Sequence, residues 1–195
     1  REYCTVGDDG FLRVWDIATR KQKQFLDMGP SARCCDYSPD GIYLAVGFGG
    51  SRADRKNKHN GAVRIYRADT DPMLQVCELK EAKQWISKVK FSPDGSILGV
   101  GSRDNSIYTY SVAQQFKRKS KFSKHNAGIL DFDFSEDGKY VQSTCSAYEL
   151  LFSDPSNGAQ LASGTTLLAN EKWKTMTCSL GWSVMGIWSG TMDGS

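Results

Sequence analysis

Lys90-Phe91-Ser92-Pro93-Asp94-Gly95 decides the fold once it is set beside Asp36-Tyr37-Ser38-Pro39-Asp40-Gly41 and Asp133-Phe134-Ser135-Glu136-Asp137-Gly138. Each is an aromatic followed by Ser-x-Asp-Gly, which is the chemistry of a tight turn. Pro presets φ, Asp bonds the backbone ahead of it, and Gly accepts positive φ. The glycines of the three segments stand 54 and 43 residues apart. A second series lies downstream of the turns, where a hairpin residue precedes a strand position by six: Asp9 and Trp15, Asn60 and Tyr66, Asp104 and Tyr110, Ala147 and Ser153. Its end points recur after 51, 44 and 43 residues.

Two series with one period of about 43 residues match the roughly 40 to 45 residues of a four-stranded propeller blade, the longer first interval holding a loop insertion. Within a blade, strand a precedes the Ser-x-Asp-Gly turn and strand b follows it (Tyr43 to Gly47, Ile97 to Gly101, Tyr140 to Thr144). A hairpin then leads to strand c, and strand d is outermost. Strands a and b are expected to be nearly continuous apolar runs, because neighbouring blades cover both their faces. Asp40, Gly41, Asp94, Gly95, Asp137 and Gly138 in the turns, with Asp9, Trp15 and Asp104 around the hairpins, are therefore read as structural rather than catalytic.

Composition agrees with an all-β globular chain: 195 residues, 39% hydrophobic, 24% charged, with 19 Gly against 5 Pro. Disorder, collagen and coiled coil are excluded. No apolar run approaches the roughly 18 to 20 residues that span a bilayer. The six Cys form no Cys-x-x-Cys pair and no Asn-x-Ser/Thr acceptor occurs, which fits reduced thiols in cytosol. The repeat divides the chain into a half blade at 1–28, blades at about 29–80, 81–123 and 124–168, and a half blade at 169–195. That is about four blades' worth, expected to be a piece of a larger protein whose other segments cover the open edges.

Phe11-Leu12-Arg13-Val14-Trp15-Asp16 resembles strand c of a WD-repeat propeller, a fold whose resemblance implies about seven blades. In that family a His before strand a, a Ser or Thr on strand b, the hairpin Asp and the strand c Trp form a hydrogen-bonded tetrad. Here the tetrads read as incomplete: Asp104 faces Tyr110 instead of Trp, and His125 is expected to have lost its usual partners, since Ala147 and Ser153 stand where Asp and Trp would.

From Glu171 the chain reads Glu-Lys-Trp-Lys-Thr-Met-Thr-Cys-Ser-Leu-Gly-Trp-Ser-Val-Met-Gly-Ile-Trp and ends in Met-Asp-Gly-Ser. This string resembles the echinoderm microtubule-associated-protein-like family at Trp173, Thr175, Thr177, Cys178, Leu180, Gly181, Val184, Gly186, Ile187, Trp188, Asp193 and Gly194. Val100-Gly101-Ser102, Asp104-Asn105, Ile107-Tyr108, Gln142-Ser143 and Tyr148-Glu149-Leu150-Leu151 follow the family's second, C-terminal propeller. Ala147, Ser153 and Ser189 depart from its usual Asp, Trp and Pro, marking a divergent member. The resemblance implies a non-enzymatic propeller that binds tubulin or the microtubule wall, with other microtubule-associated or axonemal proteins as further partners. It implies a place in the cytoplasm and cytoskeleton, the ciliary axoneme included. The competing reading is a general WD-repeat scaffold in another complex, such as a ubiquitin-ligase substrate receptor, because one fold hosts many functions.

The residues themselves offer little chemistry. There are two His, His59 and His125, no Cys-rich or His-rich ligand spacing and no phosphate loop, so no catalytic residue, metal or cofactor is expected. Cys34 and Cys35 are adjacent on a strand and point to opposite faces, a poor geometry for shared ligation. Charge placement says more. Net charge is +3, yet two short segments hold nine of the 25 basic residues: Arg52, Arg55, Lys56 and Lys58, then Lys117, Arg118, Lys119, Lys121 and Lys124. With Asp54 the only acid among them, they sum to +8 and leave the remainder at −5. A basic zone on a mildly acidic body is the footprint of an acidic partner. By the blade reading the first segment is a b-to-c loop and the second an outer strand d, offering a surface to tubulin's acidic tails. Lysines on an outer strand also protect an edge from aggregation. Nucleic acid is the weaker acidic partner, since only Phe116 and Phe122 flank the second cluster and no stacking platform is evident.

Overall fold

The computed structural model describes residues 2–50 and 59–181. They form four antiparallel sheets, each a simple meander. The first holds β1 (Glu2–Val6), β2 (Phe11–Asp16) and β3 (Gln22–Asp27). The second holds β4 (Ala32–Tyr37), β5 (Tyr43–Phe48), β6 (Val63–Arg67) and β7 (Leu74–Leu79). The third holds β8 (Ile86–Phe91), β9 (Ile97–Ser102), β10 (Ser106–Ser111) and β11 (Lys117–Phe122), and the fourth β12 (Ile129–Phe134), β13 (Val141–Cys145) and β14 (Leu150–Ser153). Only one four-residue helix, α1 (Gly164–Leu167), occurs among the described residues. This is a partial β-propeller of about four blades.

The repeat in the sequence is a repeat in hydrogen bonding. In each turn the Gly N–H bonds back to the Ser carbonyl, from Gly41 to Ser38 at 2.8 Å, Gly95 to Ser92 at 3.0 Å and Gly138 to Ser135 at 2.9 Å. Each Ser hydroxyl is held by the Asp two residues on, and that Asp accepts the N–H of Ile42, Ser96 or Lys139. The three glycines have φ of 72° to 75°, a conformation that a side chain would strain. Trp15, Tyr66, Tyr110 and Ser153 share one register, opposite Tyr3, Leu44, Leu98 and Val141 on the neighbouring strand b. Trp15, Tyr66 and Tyr110 each follow a bulge against strand d, which adds the local twist a blade needs.

The core lies between sheets. Leu12, Val14, Leu44 and Val46 fill the first interface, Ala45, Ile65, Val89 and Phe91 the second, and Ile107, Ile129, Phe132 and Phe134 the third. Each of the Val, Leu, Ile and Phe side chains so removed from water contributes about 1.5 to 3 kcal/mol. Strands β5 and β9 are the apolar runs expected of strand b, buried almost end to end. The innermost strands differ: β4, β8 and β12 carry Arg33, Asp36, Lys88, Lys90, Asp131 and Asp133. Their free edge and their proximity to the next sheet's innermost strand give these charges partners that a fully covered strand would lack.

The fourth sheet has no strand d among the described residues. Asp154 to Gly158 form a turn, closed by Gly158 N–H to the Asp154 carbonyl at 2.8 Å, and only a single bridge joins Ser153 to Gln160 before α1. The Pro155 carbonyl instead accepts Thr109 Oγ1 at 2.9 Å and Ser120 Oγ at 3.0 Å from the third sheet. Pro155, Asn157 and Gly158 favour a turn where a strand would need a regular ladder.

Candidate partner-binding surface

Strand β11 reads Lys-Arg-Lys-Ser-Lys-Phe, with Ser120 and Phe122 buried and the four basic side chains exposed. It is the outer strand of its sheet, paired only with β10. Arg118 is tied to Glu81 at 2.9 Å. The Lys121 ammonium lies 5.2 Å from the centre of the Tyr108 ring, a cation over an aromatic face. Burial and the adjacent Asp104 carboxylate push the Tyr108 phenol up, so it stays protonated and donates to Asp104 at 2.8 Å. Lys117, Lys119 and Lys124 form no ion pair among the described residues.

Arg52, Arg55, Lys56 and Lys58 lie outside the described residues, but both stems of their loop are firm. Before it, the Gly49 carbonyl accepts Arg33 Nε at 2.9 Å, and a Cβ on Gly49 would fall 2.6 Å from Trp85 Cβ. Arg33 and Arg103 lie 5.8 and 4.8 Å from the centre of the Trp85 ring. After it, Glu78 gathers His59 at 3.3 Å, Arg64 at 3.2 Å and Lys80 at 2.7 Å. Burial would raise the Glu78 carboxyl, yet these three donors outweigh it and hold it below its usual range. The Trp85 stack escaped sequence reasoning, since its two arginines come from β4 and from the hairpin after β9.

The hairpins keep part of the expected tetrads and alter the rest. Trp15 Nε1 donates to Thr5 Oγ1 at 3.1 Å, and Asp9 caps its own hairpin through Phe11 N–H at 3.2 Å and Arg13 at 2.7 Å. Asp104 meets Tyr108 rather than Tyr110, and also accepts Lys83 N–H at 2.8 Å. The expectation for His125 is corrected: its Nε2 is 2.7 Å from Ser143 Oγ and its Nδ1 is 3.3 Å from Glu149 Oε2. Glu149, two residues beyond Ala147, supplies the acid that Ala147 lacks. Glu149 also accepts Asn126 N–H at 3.0 Å and the Cys145 thiol at 3.1 Å, and these bonds hold it at about 2.

Ser143, His125 and Glu149 are connected in the order of a nucleophile, base and orienting acid. Ser143 is 0% exposed, however, so its hydroxyl meets no substrate. Burial pushes the His125 imidazole down, keeping it neutral at physiological pH, and the three groups brace the fourth sheet. His125 Nδ1, Cys145 Sγ and Glu149 also lie close enough together to consider a metal, but their hydrogen-bonding capacity is met within the cluster.

The repeated meanders, their Ser-x-Asp-Gly turns and the Trp15–Thr5 contact define a WD-repeat propeller. The sequence matches the family model for the second β-propeller of echinoderm microtubule-associated protein over residues 1–195, and the chain belongs to that family. It is 34% identical to the ciliary WD repeat-containing protein ctxp80 of Euplotoides octocarinatus over 99% of its length. It is 32% identical to mouse echinoderm microtubule-associated protein-like 2 over 100%, and 30% identical to human echinoderm microtubule-associated protein-like 3 over 99%. The chain spans 28%, 28% and 20% of those relatives. No helix among the described residues is long and apolar enough to cross a membrane.

Proposed function

We propose that this chain is a non-enzymatic, microtubule-associated propeller that contacts tubulin through its basic surface. The observation that carries the reading is the match of the entire chain to a propeller of microtubule-associated proteins. Its site in the cell is the cytoskeleton, and the likeness to a ciliary WD-repeat protein supports the axoneme as one such place. Lys117, Lys119, Lys121 and Lys124 are the exposed cations that would meet acidic tails, and Arg52, Arg55, Lys56 and Lys58, outside the described residues, are the second basic segment assigned to the same partner, each exposed cation adding a salt-screened attraction. Asp9, Trp15, Asp104 and the turn residues serve only to keep the sheets in register beneath it.

Microtubule co-pelleting at low and moderate salt tests this. Wild type is expected to pellet at low salt and to be released as salt rises. Glu at positions 117, 119, 121 and 124, or at 52, 55, 56 and 58, should abolish pelleting without changing the circular dichroism spectrum. Binding untouched by both sets of changes moves the interface elsewhere. Absence of pelleting by wild type, with no soluble tubulin captured, overturns the reading in favour of a scaffold for another complex.

A further inference from the structure

Cys4 on β1 and Cys35 on β4 face each other across the interface between the first and second sheets, their sulfurs 3.3 Å apart. The repeat shows what this position normally holds. In the next interface the equivalent residues are Ala45 and Val89, members of one apolar cluster. In the one after, they are Gly99 and Phe132, with the Phe132 ring occupying the space a Cβ on Gly99 would need. Two interfaces thus pack a small residue against a larger apolar one, and the first places two thiols there.

Both sulfurs belong to half-buried residues and neither is in a disulfide. Cys34 does not compete: it packs in the cluster on the opposite face of β4, and burial pushes its thiol up to about 12. Cys145 is engaged with Glu149, and Cys178 lies 3.6 Å from the Gln142 carbonyl, so neither shares the interface. A disulfide has its sulfurs about 2.05 Å apart, so the pair has to close by only about 1.2 Å. The hydrogen bond from the Cys4 thiol lowers the pKa of Cys35, which makes Cys35 the first of the two to ionise.

We propose that Cys4 and Cys35 form an oxidation site at which hydrogen peroxide joins β1 of the first sheet to β4 of the second through an intrachain disulfide. The Cys35 thiolate attacks one peroxide oxygen; the S–O bond forms, the O–O bond breaks and hydroxide leaves, giving a sulfenic acid. The Cys4 sulfur then attacks the Cys35 sulfur; the S–S bond forms, the S–O bond breaks, and the departing hydroxide takes the Cys4 proton as water. Peroxide is reduced by two electrons and the two thiols supply them.

The test is hydrogen peroxide treatment of the intact protein, followed by alkylation without reductant and peptide mass mapping. A linked peptide pair containing Cys4 and Cys35, reversed by dithiothreitol, is the expected product. Cys4→Ser should abolish the link and leave Cys35 as a sulfenic acid that dimedone traps, whereas Cys35→Ser should abolish both. Wild type treated with diamide needs no variant and should give the same linked pair. Full alkylation of Cys4 and Cys35 after either oxidant, or equal linkage of Cys35 to Cys34 or Cys77, overturns the proposal.

Discussion

Lys90 and Asp133 occupy the same position of the repeat, one residue before the turn aromatic, yet they carry opposite charges and meet at 2.7 Å across two sheets. Asp36 holds that position in the second sheet and accepts Phe91 N–H at 2.7 Å. Asp133 itself accepts Thr177 N–H at 3.0 Å and Cys178 N–H at 2.9 Å from the segment beyond α1. One repeat position therefore does the same work three times: its side chain reaches forward and fastens the next innermost segment. The structural consequence is that the lining of the propeller's inner wall is a relay of polar contacts, while apolar packing holds the sheets together farther out.

Removing one member of this relay should be costly. Lys90 is 11% exposed at its side chain and Asp133 0%, so Asp133→Ala takes the nearer carboxylate from a buried ammonium and leaves it only the Asp131 carboxylate at 3.3 Å. Breaking such a pair costs about 3 to 5 kcal/mol, whereas replacing both partners by apolar groups of similar volume is often close to neutral. Equilibrium urea unfolding should show Asp133→Ala strongly destabilised and the Lys90→Met/Asp133→Leu double variant recovering only part of the loss, because Asp133→Leu still strands the N–H groups of Thr177 and Cys178. Equal losses in the two variants would show that the contact contributes through shape alone.

Acid should find the same residue. Burial raises the Asp133 carboxyl, but the charge and hydrogen bonds of Lys90, then Thr175 and Cys178 N–H, outweigh it and bring it from 3.8 to about 2. A carboxyl lowered on folding stabilises the native state above its unfolded pKa, and that contribution is lost as pH falls through the folded value. Thermal unfolding of wild type should therefore weaken between pH of about 4 and about 2. Asp133→Asn should be less stable at neutral pH and show a shallower loss across that window.

Much of this architecture was legible because turns are local. Ser38, Asp40 and Gly41 each serve a backbone need within five residues, so their recurrence at Ser92 and Ser135 announces the blade directly. The innermost charges were equally visible, since Asp36, Lys90 and Asp133 open the quoted motifs, but their partners are 55 and 43 residues away. Nothing local to either residue shows that they meet. His125 was misread for a related reason: the acid was sought at Ala147, and Glu149 reaches the same imidazole from two residues on. The basic run of β11 was plain as a string of charges; its exposure depends on Phe122 and Ser120 turning inward.

The His125 cluster should act as a brace. His125→Ala removes one hydrogen-bond partner each from Ser143 and Glu149 and opens a void, which should cost about 1 to 3 kcal/mol. Ser143→Ala should cost less, and the double variant should lose less than the two single losses combined, as expected for residues in one network. Urea unfolding of the four proteins measures the coupling. Strict additivity would mean that His125 stabilises the sheet by packing alone.

The interface between the third and fourth sheets offers the sharpest packing test. A Cβ on Gly99 would fall 2.7 Å from Phe132 Cε2 and 3.1 Å from Phe134 Cζ, both buried side chains of β12 opposite. The two rings also pack edge to face at 5.9 Å, so a shift of one disturbs the other. Gly99→Ala should therefore destabilise by about 1 to 3 kcal/mol despite adding only a methyl group. Shortening the opposing ring with Phe132→Leu creates space but loses buried area, so it should also destabilise by itself. Combined, the two changes should be better tolerated than their separate costs imply, since the methyl fills part of what the ring vacates. A double-mutant cycle from urea unfolding reads that compensation directly, and a coupling energy indistinguishable from zero would show that the sheets move apart rather than interlock at Gly99.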